Sequence, residues 1–269
     1  MARTSRAPKL QHEELPDIFD VPAAVLCARC GQPDCMGCED PSEDASGVIA
    51  IVPWERPGGT WKRLWSTARA TTQGADSFFA SLPDGPVRPA ASFAVLAELL
   101  AVAAMFALLA PLVALVMPQL AAVIVSNPRL RMKAVLWAAV AIPTLAAWMV
   151  VAHAAHGVAL DSAARRQGGR SQRRRALRFG LYACGWDLMS GPLGAVAAAL
   201  SEGRKAAGDA LSASMRVPAR ATMALLQGVY ALAPGAATRA RRWGSRAAIV
   251  MTVVSAICIL VTAALAYRY

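Results

Sequence analysis

Residues 91–117 read ASFAVLAELLAVAAMFALLAPLVALVM, a long apolar run carrying one charge, Glu98. A helix rises 1.5 Å per residue, so about 20 such residues cross the hydrocarbon layer of a bilayer, and this stretch predicts a membrane span. Residues 134–160, AVLWAAVAIPTLAAWMVVAHAAHGVAL, are uncharged when the histidines are neutral, and so are residues 247–266. Two weaker candidates lie between them, 179–201 with the single charge Asp187 and 221–238 with none. Both contain Gly and Pro, which a span tolerates where neighbouring helices cover the freed backbone groups. The chain therefore predicts an all-α integral membrane helical bundle with spans near 91–117, 134–160 and 247–266, and five spans, with 179–201 and 221–238 crossing too, are favoured over three.

Composition agrees. The 269 residues are 56 % hydrophobic and 17 % charged, whereas an ordinary soluble domain carries about 25 % charged residues. A disordered, collagenous or disulfide-stapled secreted chain is excluded. Residues 1–90 hold 9 basic and 12 acidic residues, a net charge of −3, so that 91–269 carry +14 of the total of +11. The basic residues cluster between apolar runs without interleaved aromatics, which favours loops beside an anionic membrane surface over a nucleic-acid groove, and no nucleic-acid partner is expected.

Placement of Arg and Lys sets the expected orientation. Arg129, Arg131 and Lys133 lie between the first two spans, and seven arginines from Arg165 to Arg178 follow the second. The richer loop is expected in the cytoplasm. The amino terminus then lies in the cytoplasm too, as does the cluster Arg239, Arg241, Arg242 and Arg246. The Arg165–Arg178 loop either binds anionic lipid headgroups or acts only as a topology determinant. A bacterial chain of this kind belongs in the inner membrane, because it lacks the alternating ten-residue strands of an outer-membrane barrel.

Ahead of the membrane region, residues 1–26 are polar and carry no apolar run of signal-peptide type. Residues 27–38, CARCGQPDCMGC, place Cys27, Cys30, Cys35 and Cys38 as two Cys-x-x-Cys pairs. Four thiolates in this pattern suit a closed tetrahedral zinc site, and the reducing cytoplasm favours metal over disulfides. An iron–sulfur cluster, a redox dithiol and a metal-free segment are the alternatives for the same cysteines. Residues 39–90 read as a linker followed by a juxtamembrane amphipathic helix, in which Trp61, Leu64, Trp65, Phe78, Phe79 and Leu82 either lie on the membrane or pack on the protein's own helices.

Few residues elsewhere carry chemistry. His153 and His156 stand one turn apart and either share a cavity or sit at the interface, with no carboxylate or cysteine at helical spacing to complete a site. Glu98 and Asp187 are the acidic residues inside the apolar runs, where ionisable groups are functional candidates, although Glu98 lies near enough to its helix start to reach the interface. Cys184 and Cys258 read as small buried hydrophobes. No nucleophile–base pair or phosphate-binding loop is present, so no enzymatic activity is expected.

The run Pro53-Trp54-Glu55, Leu64-Trp65-Ser66-Thr67, Ser77 to Pro83 and Ala90 to Ala94, with the later Arg175 to Ala183 and Gly191-Pro192-Leu193, resembles the bacterial branch of the Yip family of Ypt/Rab-interacting membrane proteins. The resemblance covers about residues 53–269 by pattern and order. It implies a five-helix membrane domain at 91–269 with a cytoplasmic amino terminus, and for eukaryotic members a link to vesicle trafficking. The four-cysteine module is outside the family pattern. The resulting expectation is a non-enzymatic membrane protein whose zinc-binding tail meets an unknown protein partner. Its alternative is a transporter or channel using Asp187, Glu98 and His153/His156.

Overall fold

A computed structural model describes residues 52–202 and 216–268. Cys27, Cys30, Cys35 and Cys38, and with them the expected zinc module and the tail before it, lie outside the described residues. Among the described residues the chain is helical and contains no strand. After a 3-10 turn at Pro53–Glu55 come α1 (Thr60–Thr72), α2 (Ala75–Ala80), α3 (Val87–Val116), α4 (Pro118–Ser126), α5 (Pro128–Arg166), α6 (Arg173–Ser190) and α7 (Pro192–Glu202), then α8 (Val217–Gly228) and α9 (Pro234–Arg268).

Proline and asparagine set several boundaries. Pro118 and Pro128 each open a helix at the first turn, where a missing N–H costs nothing. Asn127 caps α5 by accepting from the backbone N–H groups of Arg129 at 3.0 Å and Leu130 at 3.4 Å. Segment 179–201 is divided between α6 and α7, which meet at Gly191. Segment 221–238 is divided likewise, and α8 with its 12 residues is only about 18 Å long. The two described helices long and apolar enough to cross a membrane are α3 and α5, and the helical backbone of α9 carries the 247–266 run.

Two materials are built from these helices. One is a close-packed body in which α1, α2 and α8 gather on the first half of α3, the second half of α5, and α6. Trp54, Phe79, Phe93, Phe179, Tyr182 and Trp186 are buried there. Their rings meet edge-on, for example Phe79 and Phe179 with centroids 4.7 Å apart and Trp54 and Phe93 at 5.7 Å, an arrangement favoured by the ring quadrupoles. The indole nitrogens are satisfied, Trp186 donating to the Thr71 carbonyl at 2.9 Å and Trp54 to Ser92 Oγ at 3.1 Å. The residues expected to form one juxtamembrane helix form two, α1 and α2, and Leu64, Phe79 and Leu82 face the body's core. These three follow the packing alternative, whereas Trp61 is exposed.

The other material is an arm made of the outer half of α3, α4, and the first half of α5. Leu108, Leu112, Val116, Val123, Val135 and Val140 on it are all exposed. The most apolar stretches of α3 and α5 are just 11 % and 6 % buried. A soluble protein would bury such helices, because each large apolar side chain left in water forfeits about 1.5–3 kcal/mol.

The α5–α6 contact depends on two glycines. A Cβ on Gly157 would overlap the Ala176 carbonyl oxygen, and one on Gly180 would overlap the carbonyl oxygen of His153. Both obstacles are helix backbone, which cannot rotate aside. Gly180→Ala is therefore expected to cost about 1–3 kcal/mol and to lower the thermal unfolding midpoint in detergent. Gly235→Ala, at an open position, should leave it unchanged.

Asp161 ties the far end of the same pair. It is 4 % exposed and accepts from Tyr230 Oη at 2.8 Å, Ser171 Oγ at 3.1 Å and the Gln172 backbone N–H at 2.7 Å. The last contact puts a carboxylate at the amino end of α6, where the helix dipole favours it. Burial, with the carboxylate alongside, pushes the Tyr230 phenol up, so it keeps the proton it donates.

Candidate functional site

Where the body meets the arm, α3, α5 and α6 each contribute a polar side chain to one point. Glu98 comes from α3, His153 from α5, and Cys184 and Asp187 from successive turns of α6. His153 Nε2 is 2.8 Å from Asp187 Oδ2 and 3.7 Å from Glu98 Oε1. The ligand atoms of Glu98, His153 and Cys184 all lie within 4.8 Å of one another.

Local sequence explains the convergence. The absent side chain at Gly180 brings α6 onto the His153 backbone, and Cys184 and Asp187 follow Gly180 by four and seven residues, along the same helix face. Trp186 stands edge-on to the His153 imidazole, with centroids 6.1 Å apart, and limits the rotation of the ring. Glu98 is 1 % exposed and its Oε1 has no hydrogen-bond partner. It sits in the fourth turn of a helix that begins at Val87, buried against α5 and α6. A bilayer-length stretch of helix, about 27 Å, separates it from Val116.

The cluster has an opening. Glu98 and Asp187 line a cavity of about 380 Å³ together with Met105, Met149, Ser190 and Gly191. Asp187 is 34 % exposed toward it, whereas His153 is 15 % exposed. Both carboxylates thus border the cavity, Asp187 the more exposed of the two.

The transporter reading grouped Glu98 and Asp187 with both histidines, and the fold brings Glu98, Asp187 and His153 together. His156 does not join them. It packs edge-on to Phe179 at 6.1 Å and lines a separate cavity with Arg241, Arg242 and Arg246, so the two histidines do not share a site. Cys184 was read as a simple hydrophobe. It is fully buried, yet its sulfur faces Glu98 and His153. The only sequence signal was its place one turn before Asp187. The Cys258 side chain lies outside the described residues.

The arginine loop also differs from its expected form. Arg165 and Arg166 end α5, while Arg173, Arg174 and Arg175 begin α6. Arg178, counted with that loop, is fully buried: its Nη2 donates to Glu55 Oε1 at 2.7 Å, and Tyr182 Oη donates to the same oxygen at 2.6 Å. It is a core residue because Glu55, far back in the sequence, supplies its counter-charge. Comparison of the chain with protein families, curated proteins and solved structures gives no match.

Proposed function

We propose that this chain is a multi-pass integral membrane protein in which the apolar arm and the 247–266 run cross the bilayer, while the helical body and the amino-terminal tail lie on the cytoplasmic face. The observation that carries this reading is the exposure of the arm's apolar side chains. The distances from Glu98 to Val116 and from Lys133 to His153 along their helices are about 27 and 30 Å, close to the thickness of a hydrocarbon layer. Arg129, Arg131 and Lys133 then mark one border of that layer, and the Glu98–His153–Asp187 cluster marks the other.

In this arrangement the protein is a non-enzymatic membrane organiser of the Yip type, with a Cys27/Cys30/Cys35/Cys38 zinc tail presented to a protein partner. The stretches that carry the Yip resemblance pack together in this chain: Trp54 on Phe93, Phe78 on Tyr182, and Phe79 on Phe179. A second reading, a transporter or channel for cations, is favoured by the convergence of Glu98, His153 and Asp187 beside one cavity.

Extraction of membranes at alkaline pH tests the reading. The full chain is expected to stay in the membrane pellet, and Cys27→Ser/Cys30→Ser is expected to stay there too while losing one zinc per chain relative to the parent. Release of the full chain into the alkaline supernatant would overturn the membrane assignment. Cation flux in proteoliposomes, abolished by Asp187→Asn, would favour the transporter.

A further inference from the structure

We propose that Glu98, His153 and Cys184, with Asp187 completing the set, form a binding site for a divalent late first-row transition-metal ion of the zinc class, distinct from the cysteine tail. The proposal goes beyond both readings above, neither of which gives Cys184 a role.

Geometry is the first argument. Bonds of about 2.0–2.3 Å from zinc to O, N and S imply donor–donor separations of about 3.2–3.7 Å around a tetrahedron. The Glu98 Oε1 to His153 Nε2 separation of 3.7 Å already matches, the Cys184 sulfur is within 4.8 Å of both, and Asp187 Oδ2 is 2.8 Å from His153 Nε2. Side-chain adjustments of about an ångström close the site, without movement of the glycine-locked α5 and α6 backbones.

An unpartnered atom is the second. Glu98 Oε1 is buried without a hydrogen-bond donor. A buried acceptor left unmatched costs about 1–3 kcal/mol, and a native structure retains one where something else satisfies it. An ion held between Oε1 and Nε2 would do so.

Donor chemistry decides the class of ion. Magnesium and calcium take oxygen ligands, whereas a thiolate with an imidazole selects zinc, cobalt and their neighbours. Met105 and Met149, two soft thioethers, line the cavity that leads from Asp187. Binding releases two protons to solvent, one from the Cys184 thiol and one from the Glu98 carboxyl beside Asp187, giving the thiolate and the carboxylate that ligate. The imidazole proton moves from Nε2 to Nδ1, so that Nε2 turns its lone pair to the ion and Asp187 Oδ2, relieved of its hydrogen bond, becomes the fourth donor. No electron transfer is involved.

The test uses the full-length chain in detergent with Cys27, Cys30, Cys35 and Cys38 all changed to Ser, which removes the tail thiols. Titration with Co²⁺ is expected to raise a thiolate-to-cobalt charge-transfer band that saturates at one equivalent and is displaced by Zn²⁺. Cys184→Ser should abolish the band, Cys258→Ser should leave it intact, and Asp187→Asn should weaken Co²⁺ binding about 10–100-fold. Circular dichroism on each variant establishes that the helices are retained. Absence of the band in a chain of full helix content would overturn the proposal, and so would its persistence in Cys184→Ser. Alkaline extraction of the same chain reports separately on the membrane reading, so the two can fail independently.

Discussion

Leu109→Arg combined with Val140→Arg is expected to remove most of the chain from the membrane. Both residues are exposed on the arm, at 44 % and 62 %, on α3 and α5 and away from either border of the proposed apolar layer. An arginine at the centre of a span costs about 2.5–3.5 kcal/mol on insertion scales, so two cost about 5–7 kcal/mol if each acts independently. The measurement is the fraction of newly synthesised chain that resists alkaline extraction. Ser66→Arg/Gln73→Arg, which adds the same charge to exposed body positions, serves as the control and should insert normally. Equal insertion of the two double variants would mean that the arm meets protein instead of lipid.

Glu55→Ala should destabilise the body by about 3–5 kcal/mol, the usual consequence of leaving a buried charge without its partner. Arg178 is fully buried, and its Nε and Nη1 have no hydrogen-bond partner. Glu55 is the carboxylate that compensates it, and Tyr182 Oη on the same oxygen holds the pair in register. Truncation therefore strands a buried guanidinium beside the Tyr182 ring, 5.8 Å from its centroid. Arg178→Met in the Glu55→Ala background replaces that cation by an apolar chain of similar length, and should recover most of the loss. Thermal unfolding in detergent, followed by circular dichroism, reads both effects. A Glu55→Ala variant as stable as the parent would show that Arg178 reaches water in solution.

The Glu55–Arg178 pair also shows why part of the fold was illegible beforehand. Arg178 sits in a run of arginines, and a run of one charge reads as a solvated or lipid-facing face. Its partner is 123 residues away, and no periodicity connects the two. His153 was weighed against the residues of its own helix, where nothing completes a site, while its partners come from α3 and α6. Asp187 was placed in a broken span, and the break is present at Gly191, immediately after the helix end that presents the carboxylate to the cavity.

Sequence alone determined that the chain is helical, that long uncharged runs need an apolar environment, and where prolines and Asn127 begin several helices. Those properties are local: a helix of about 20 uncharged residues satisfies its own backbone and declares its preferred solvent without reference to the rest of the chain. Only the tertiary structure decided which halves of α3 and α5 are buried in the body and which stand exposed, because that depends on the neighbours that α1, α2, α6 and α8 provide. It also decided that Glu98, His153, Cys184 and Asp187 meet. Their meeting rests on the close approach of α5 and α6, which the missing side chains of Gly157 and Gly180 permit, and on the register of three helices far apart in the chain.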